Sequence, residues 1–361
     1  MRLSQKKISA IRFSLTVLFA LFILLGFPNV AEAAQSQEPP SQTEEMQLSQ
    51  TLKGLDLVPA KRIARLELEQ DVSQRLGVAA KPGVQDFGSL SYPNGIAIAS
   101  NGKVGYITDT GNNRIVMVNN GGRVLSTWGE YGSRQGQFDL PSDAALDQAG
   151  NVYVADTMNH RIQVFDGFGK FIAAWGSHGK GVGELNGPHG IGIDARRGFA
   201  YVADTLNHRV VKFALNGKLI TAWGKLGTGN GELQFPHDVA VSSDGNVFVS
   251  DFLNHRIVKY SPNGEFIAAF GSLGNQPGQF HHPWGVTVDN SDRVWVVDMS
   301  NARVEVMDIK GSSVAVALRG FGDTLGRFNH PKGIGITAQG DVWIAHPGAQ
   351  ATDKFVTRSD Y

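Results

Sequence analysis

Two histidines in this sequence have the placement that metal chemistry asks for. His189 and His237 each follow a proline, in Pro188-His189-Gly190 and Pro236-His237-Asp238, 48 residues apart. Neutral imidazoles converging from rigid strand ends are donors that zinc or a similar divalent ion takes. Asp143 and Asp238 stand two residues after their own prolines and would add oxygen ligands or orient the imidazoles. A third nitrogen would have to come from elsewhere, His282 or His346, and no motif surrounds either. The competing reading is a pair of loop histidines held by ordinary hydrogen bonds. Other chemistry is poorly served. The chain has no G-x-S-x-G elbow, no P-loop and no H-E-x-x-H, and without cysteine it has no thiolate nucleophile, thiolate metal site or disulfide.

A second set of polar residues is far more regular. The stretch from Tyr201 to Phe213, YVADTLNHRVVKF, alternates apolar residues on both sides of a short polar turn, which reads as a β-hairpin with one buried face. The same pattern starts at Tyr106, Tyr153, Phe248 and Trp295. Arginine follows aspartate by five residues each time: Asp109/Arg114, Asp156/Arg161, Asp204/Arg209, Asp251/Arg256 and Asp298/Arg303. Residues needed in every copy serve the copy. The carboxylate suits a turn because it accepts backbone N–H bonds, and arginine can offer it a forked partner. These ten residues are therefore read as structural.

What positions both sets is a repeat. Prolines at 93, 141, 188, 236, 283 and 331 recur at intervals of 48, 47, 48, 47 and 48 residues. Each heads a short apolar strand, then comes the hairpin, then a fourth strand ending in Trp128, Trp175, Trp223, Phe270 or Leu318, then a glycine-rich loop. Six units of four short antiparallel strands predict an all-β, six-bladed β-propeller over residues 93–361. The sixth unit ends at Tyr361 after about three strands, so an N-terminal strand should close that blade. Register favours residues 74–80, and apolar alternation favours Ile63–Leu68. In this architecture the residues after the prolines ring the channel mouth. Asn94, Asp143, His189, His237, Asp238, Trp284 and Lys332 form the candidate ligand-binding face. Trp284 is either an exposed anchor or a packing residue; Trp128, Trp175, Trp223 and Phe270 read as packing between blades.

The N-terminus carries an address. Residues 1–33 run from a basic start (Arg2, Lys6, Lys7, Arg12) through an apolar stretch to Ala31-Glu32-Ala33, the layout of a secretory signal peptide. Residues 34–60 read as a flexible linker and 61–92 as the closing strand and entry segment. The expected location is periplasmic or extracellular; the alternative is anchoring through an uncleaved signal, the one membrane contact expected. Beyond residue 33, 29 basic residues face 32 acidic ones. With no basic cluster, nucleic acid is not an expected partner.

The units resemble NHL repeats. The signature triplet stands as Asn159-His160-Arg161, Asn207-His208-Arg209 and Asn254-His255-Arg256, with variants Asn112-Asn113-Arg114 and Asn301-Ala302-Arg303. Blade six departs, with His346 for the aspartate and Ala351 for the arginine, and irregularity is expected there. The resemblance implies a propeller used chiefly as a recognition scaffold, here for a protein, peptide or glycan. The Pro-His positions also resemble the zinc site of peptidyl-α-hydroxyglycine amidating lyases, which use three such histidines where this chain matches two, His189 and His237. A zinc-dependent lyase or hydrolase is accordingly the alternative to the scaffold.

Overall fold

The computed structural model describes residues 78–79, 90–319 and 328–357. Its strands form six four-stranded sheets, each antiparallel throughout, and five of them run in sequence order from inner to outer strand. Blade 3 shows the plan: inner strand Pro188–Asp194, hairpin strands Phe199–Asp204 and Arg209–Ala214, outer strand Leu219–Trp223. Each inner strand of the first five blades carries an irregularity in register just after its proline, as between Pro188 and Ile191. In the sixth sheet, Val78–Ala79 lies outside Ala351–Thr357, with Val78 opposite Thr357 and Ala79 opposite Val356. Those two residues fall in the segment that register singles out. Ile63–Leu68 lies outside the described residues, as does the whole of residues 1–60 with the expected signal and linker. Among the described residues no helix is long and apolar enough to cross a membrane.

The hairpin strands are near-continuous apolar runs and bury both faces, not the one that alternation suggests, so they pack against the blades on either side. Val202, Val211 and Phe213 of blade 3 pack with Tyr153, Ile162 and Val164 of blade 2, while Tyr201, Ala203 and Val210 pack with Val249, Val258 and Tyr260 of blade 4. The cores thus lie between blades, which couples each blade's stability to its neighbours. Outer-strand aromatics complete the contact. Trp128, Trp175, Trp223 and Phe270 each press on a glycine in the next blade's outer turn, Gly169, Gly217, Gly264 and Gly311. A Cβ there would enter the ring, and each glycine has positive φ, so the position admits no other residue without strain. The packing expected of these aromatics is what they do.

Candidate functional site

The hairpin turn is built the same way in the first five blades. A three-residue 3-10 turn follows the aspartate and ends in a left-handed residue: Asn113, His160, His208, His255 or Ala302, with φ between 48° and 55°. In blade 3 one oxygen of the buried Asp204 accepts from the Asn186 N–H at 2.6 Å. The other accepts from Asn207 Nδ2 at 2.8 Å and Arg209 Nε at 2.6 Å. The forked pairing of arginine with aspartate does not occur. Arg209 meets Asp204 through Nε and turns its fork on the glycine-rich loop, donating to the Lys180 and Glu184 carbonyls at 2.9 Å each. Arg161, Arg256 and Arg303 brace their loops in the same way. A guanidinium has five donors, and loop carbonyls without strand partners use those the carboxylate leaves.

The histidine of the triplet joins one blade to the next. His160, His208 and His255 accept through Nδ1 from the N–H of Gly187, Phe235 and His282, the residues just before Pro188, Pro236 and Pro283. Asn113 does the same in blade 1 through Oδ1 to Leu140 N–H at 2.8 Å. Burial, with neighbouring His178, Lys180 and His281 respectively, lowers all three imidazoles to about 4, so they are neutral acceptors at pH 7. Ala302 has no side chain to make this tie in blade 5.

At the ring of residues after the prolines the structure departs from expectation. Asn94, Ser142, His189, His237, Trp284 and Lys332 are all buried, none more than 4% exposed. They fill the channel rather than line an open mouth. His237 stacks on Trp284 with ring centroids 3.9 Å apart, His189 stands edge-on to both, and Lys332 Nζ sits 4.0 Å from the Trp284 centroid. Trp284 Nε1 donates to Asn94 Oδ1 at 3.2 Å, spanning blades 5 and 1. Trp284 is a packing residue. Burial pushes Lys332 down to about 7, and burial followed by the nearby His189, Lys332 and His282 pushes His237 well below its usual value.

Asp143 and Asp238 each hold a backbone N–H of a neighbouring blade. Asp143 Oδ2 accepts from Ile191 N–H in blade 3, and Asp238 Oδ2 from Val286 N–H in blade 5, tying each inner strand to the next. Burial and then the Asp238 charge raise Asp143 well above the carboxylate range, and burial raises Asp238 to about 7. The described residues bring together two of the nitrogens a zinc site would use and no third. His189 and His237 rings lie 4.6 Å apart, but Phe252 stands between His237 and His282, 4.4 Å from one and 4.6 Å from the other. His346 lies in the blade 6 hairpin, with Nε2 3.3 Å from Asp353. Among the described residues no three side chains gather as a metal would need.

Sequence reasoning passed over the glycine-rich loops. Three residues after each outer-strand aromatic come Tyr131, His178, Leu226 and Leu273, all exposed on the hairpin-turn face; Tyr131 is 70% exposed and each leucine 59%. Val182 on the same loops is 89% exposed. The signal was there to read: in three of these four loops an aromatic or aliphatic residue stands three positions after the outer-strand aromatic, apart from the buried Phe138, Leu233 and Phe280 further along.

Six blades of one plan around a filled centre define a repeat β-propeller. Residues 138–165, 185–213, 233–260 and 280–307 match the NHL repeat family, and the chain is an NHL-repeat propeller. No curated protein matches the sequence. Among solved structures it is similar to a catalytically inactive virginiamycin B lyase from Staphylococcus aureus with quinupristin: 17% identity, 75% of this chain and 86% of that one, TM-score 0.54. A gluconolactonase from Xanthomonas campestris matches at 17% identity over 83% of this chain and 96% of its own, TM-score 0.58. A chain of the nidogen/laminin complex matches at 19% identity over 63% and 80%, TM-score 0.50. At these identities the likeness is one of fold.

Proposed function

We propose that the protein is an exported recognition propeller that binds a protein or peptide through its hairpin-turn face. One observation carries the reading: on that face the repeated polar residues are spent on the frame, while the loop tips present Tyr131, Leu226, Leu273 and Val182 to solvent. Aromatic and aliphatic side chains held on a rigid scaffold are what a protein interface uses as anchors. The nidogen/laminin complex shows a similar fold within a protein assembly, which supports the reading by analogy of fold alone. Export rests on the signal-like residues 1–33. Mass spectrometry of the mature protein from a fractionated culture should find an N-terminus at Ala34; a cytoplasmic protein retaining Met1 would sink that part.

The alternative, a zinc-dependent lyase or hydrolase, is supported by the proximity of His189 and His237 and by the lyase-like fold of a neighbour. Metal content separates the readings. Stoichiometric zinc that disappears in a folded His189→Ala/His237→Ala protein would favour the enzyme. A wild type that remains metal-free after incubation with zinc leaves the binding reading.

A further inference from the structure

At the end of the ring opposite the hairpin turns, a cleft of about 230 Å³ lies among blades 3, 4 and 5. Its lining is mostly polar but includes Ile193, Val241 and Val288, equivalent half-buried residues near the ends of three inner strands. Its rim is formed by the turns that follow those strands, and two of these turns break the blade plan. In blades 1, 2, 4 and 6 the turn closes with a glycine N–H bonded three residues back, by Gly102, Gly150, Gly245 and Gly340, each with positive φ. Blade 5 places Asp292 there, at φ 56°. Aspartate visits that region readily, so the turn keeps its geometry and gains a carboxylate. The blade 3 turn closes four residues back rather than three, from Gly198 N–H to the Asp194 carbonyl, and carries Arg196 and Arg197.

These departures set opposite charges on opposite rims. Arg197 is used in the frame, paired with Asp194 at 3.1 Å and donating to the Asp244 carbonyl at 2.9 Å. Arg196 is exposed at the blade 3 rim. On the blade 5 rim, Asp292 accepts from Ser243 N–H at 2.8 Å and from Ser243 Oγ at 2.5 Å. Each carboxylate oxygen keeps a further acceptor site after one such bond. We propose that this cleft binds a small zwitterion, a free α-amino acid with an aliphatic side chain. Arg196 takes the carboxylate, Asp292 takes the ammonium, and Ile193, Val241 and Val288 receive the side chain. The volume, below the roughly 300 Å³ at which drug-sized pockets begin, suits a ligand of that size.

Titration calorimetry on the full chain with alanine, valine, leucine and isoleucine tests the proposal, with N-acetyl-leucine, leucinamide and glucose as controls. The expected result is saturable binding of at least one amino acid, weakened at least tenfold by blocking either charged end. Arg196→Ala and Asp292→Gly should each weaken it at least tenfold. The second variant installs the residue that four other blades carry, so folding is preserved by design. Absence of saturable heat with any amino acid at millimolar concentration overturns the proposal. So does binding of glucose with equal affinity, or an affinity unchanged in both folded variants.

Discussion

In blade 3 the hairpin turns between Asp204 and Arg209, and in blade 6 between His346 and Ala351, yet the turn that follows is of the same kind. Both pairs are directly opposed in register, both turns are single 3-10 turns, and both end in a left-handed residue, His208 at φ 55° and Gln350 at φ 52°. The loop tie is kept as well, Leu206 N–H to the Asn186 carbonyl in one and Gly348 N–H to the Asn329 carbonyl in the other. Pro347 opens the blade 6 turn with its fixed φ and needs no carboxylate to organise it. The irregularity expected of blade 6 is confined among the described residues to a shorter inner strand, Ile334–Ile336. The aspartate and arginine are therefore not what makes the hairpin. They fasten it to the loop that enters the blade, and the triplet histidine fastens it to the blade that follows.

That division can be broken most sharply at Asp204. Asp204→Ala leaves the Arg209 Nε and the Asn186 N–H without their acceptor in a buried site and should cost about 3–5 kcal/mol by denaturant unfolding. A loss below about 1 kcal/mol would mean the carboxylate is not holding the loop.

The ring position gives the next contrast, since blade 6 places Lys332 where blade 3 places His189. Burial moves the Lys332 amine from its ordinary 10.5 down to about 7, so between those values the unfolded chain binds more protons than the native one. Its contribution to stability therefore rises with pH above 7 and is lost as pH falls toward 7. Lys332→Met should stabilise the protein by about 2 kcal/mol at pH 7, with the gain shrinking by pH 9.5. A gain independent of pH would contradict the buried amine.

The histidine tie is weaker. His208→Ala should cost about 1–2 kcal/mol for the unpaired Phe235 N–H, whereas His208→Asn should recover half or more, because Asn113 does this work in blade 1. Equal losses in the two variants would assign His208 to packing. The smallest effect is expected from giving blade 6 the missing pair. His346→Asp with Ala351→Arg should gain about 1 kcal/mol over the sum of the single changes in a double-mutant cycle. No coupling between them would show that the blade 6 loop does not offer the arginine its carbonyls.

The architecture was legible because a period of 47 or 48 residues with four apolar strands per unit has few solutions, and the spacing of six prolines counted the blades. The structural role of Asp204 and Arg209 was legible from recurrence alone. Where the fork of Arg209 points was not, because its acceptors are backbone carbonyls 25 to 29 residues away that carry no side-chain signature. The residues after the prolines meet between the blades, but buried where the sequence reading expected an open mouth. Sequence spacing places His189, His237 and Trp284 at one level, but whether six side chains fill a channel or leave it open depends on their summed volume. The charged cleft was missed for a simpler reason. An arginine pair in a turn that closes four residues back and one glycine replaced by Asp292 are small changes in turns that had no motif to draw attention to them.

The division of labour between frame and loop tips is tested most directly by partner capture from envelope and medium fractions. Wild type is compared with Tyr131→Ser/Leu226→Ser/Leu273→Ser and with His189→Ala/His237→Ala, each first shown to be folded. The account expects one saturable partner, lost with the loop-tip variant and retained by the histidine variant. Retention by the loop-tip variant, with loss on removing the two histidines, would contradict it and move the site into the filled centre of the ring.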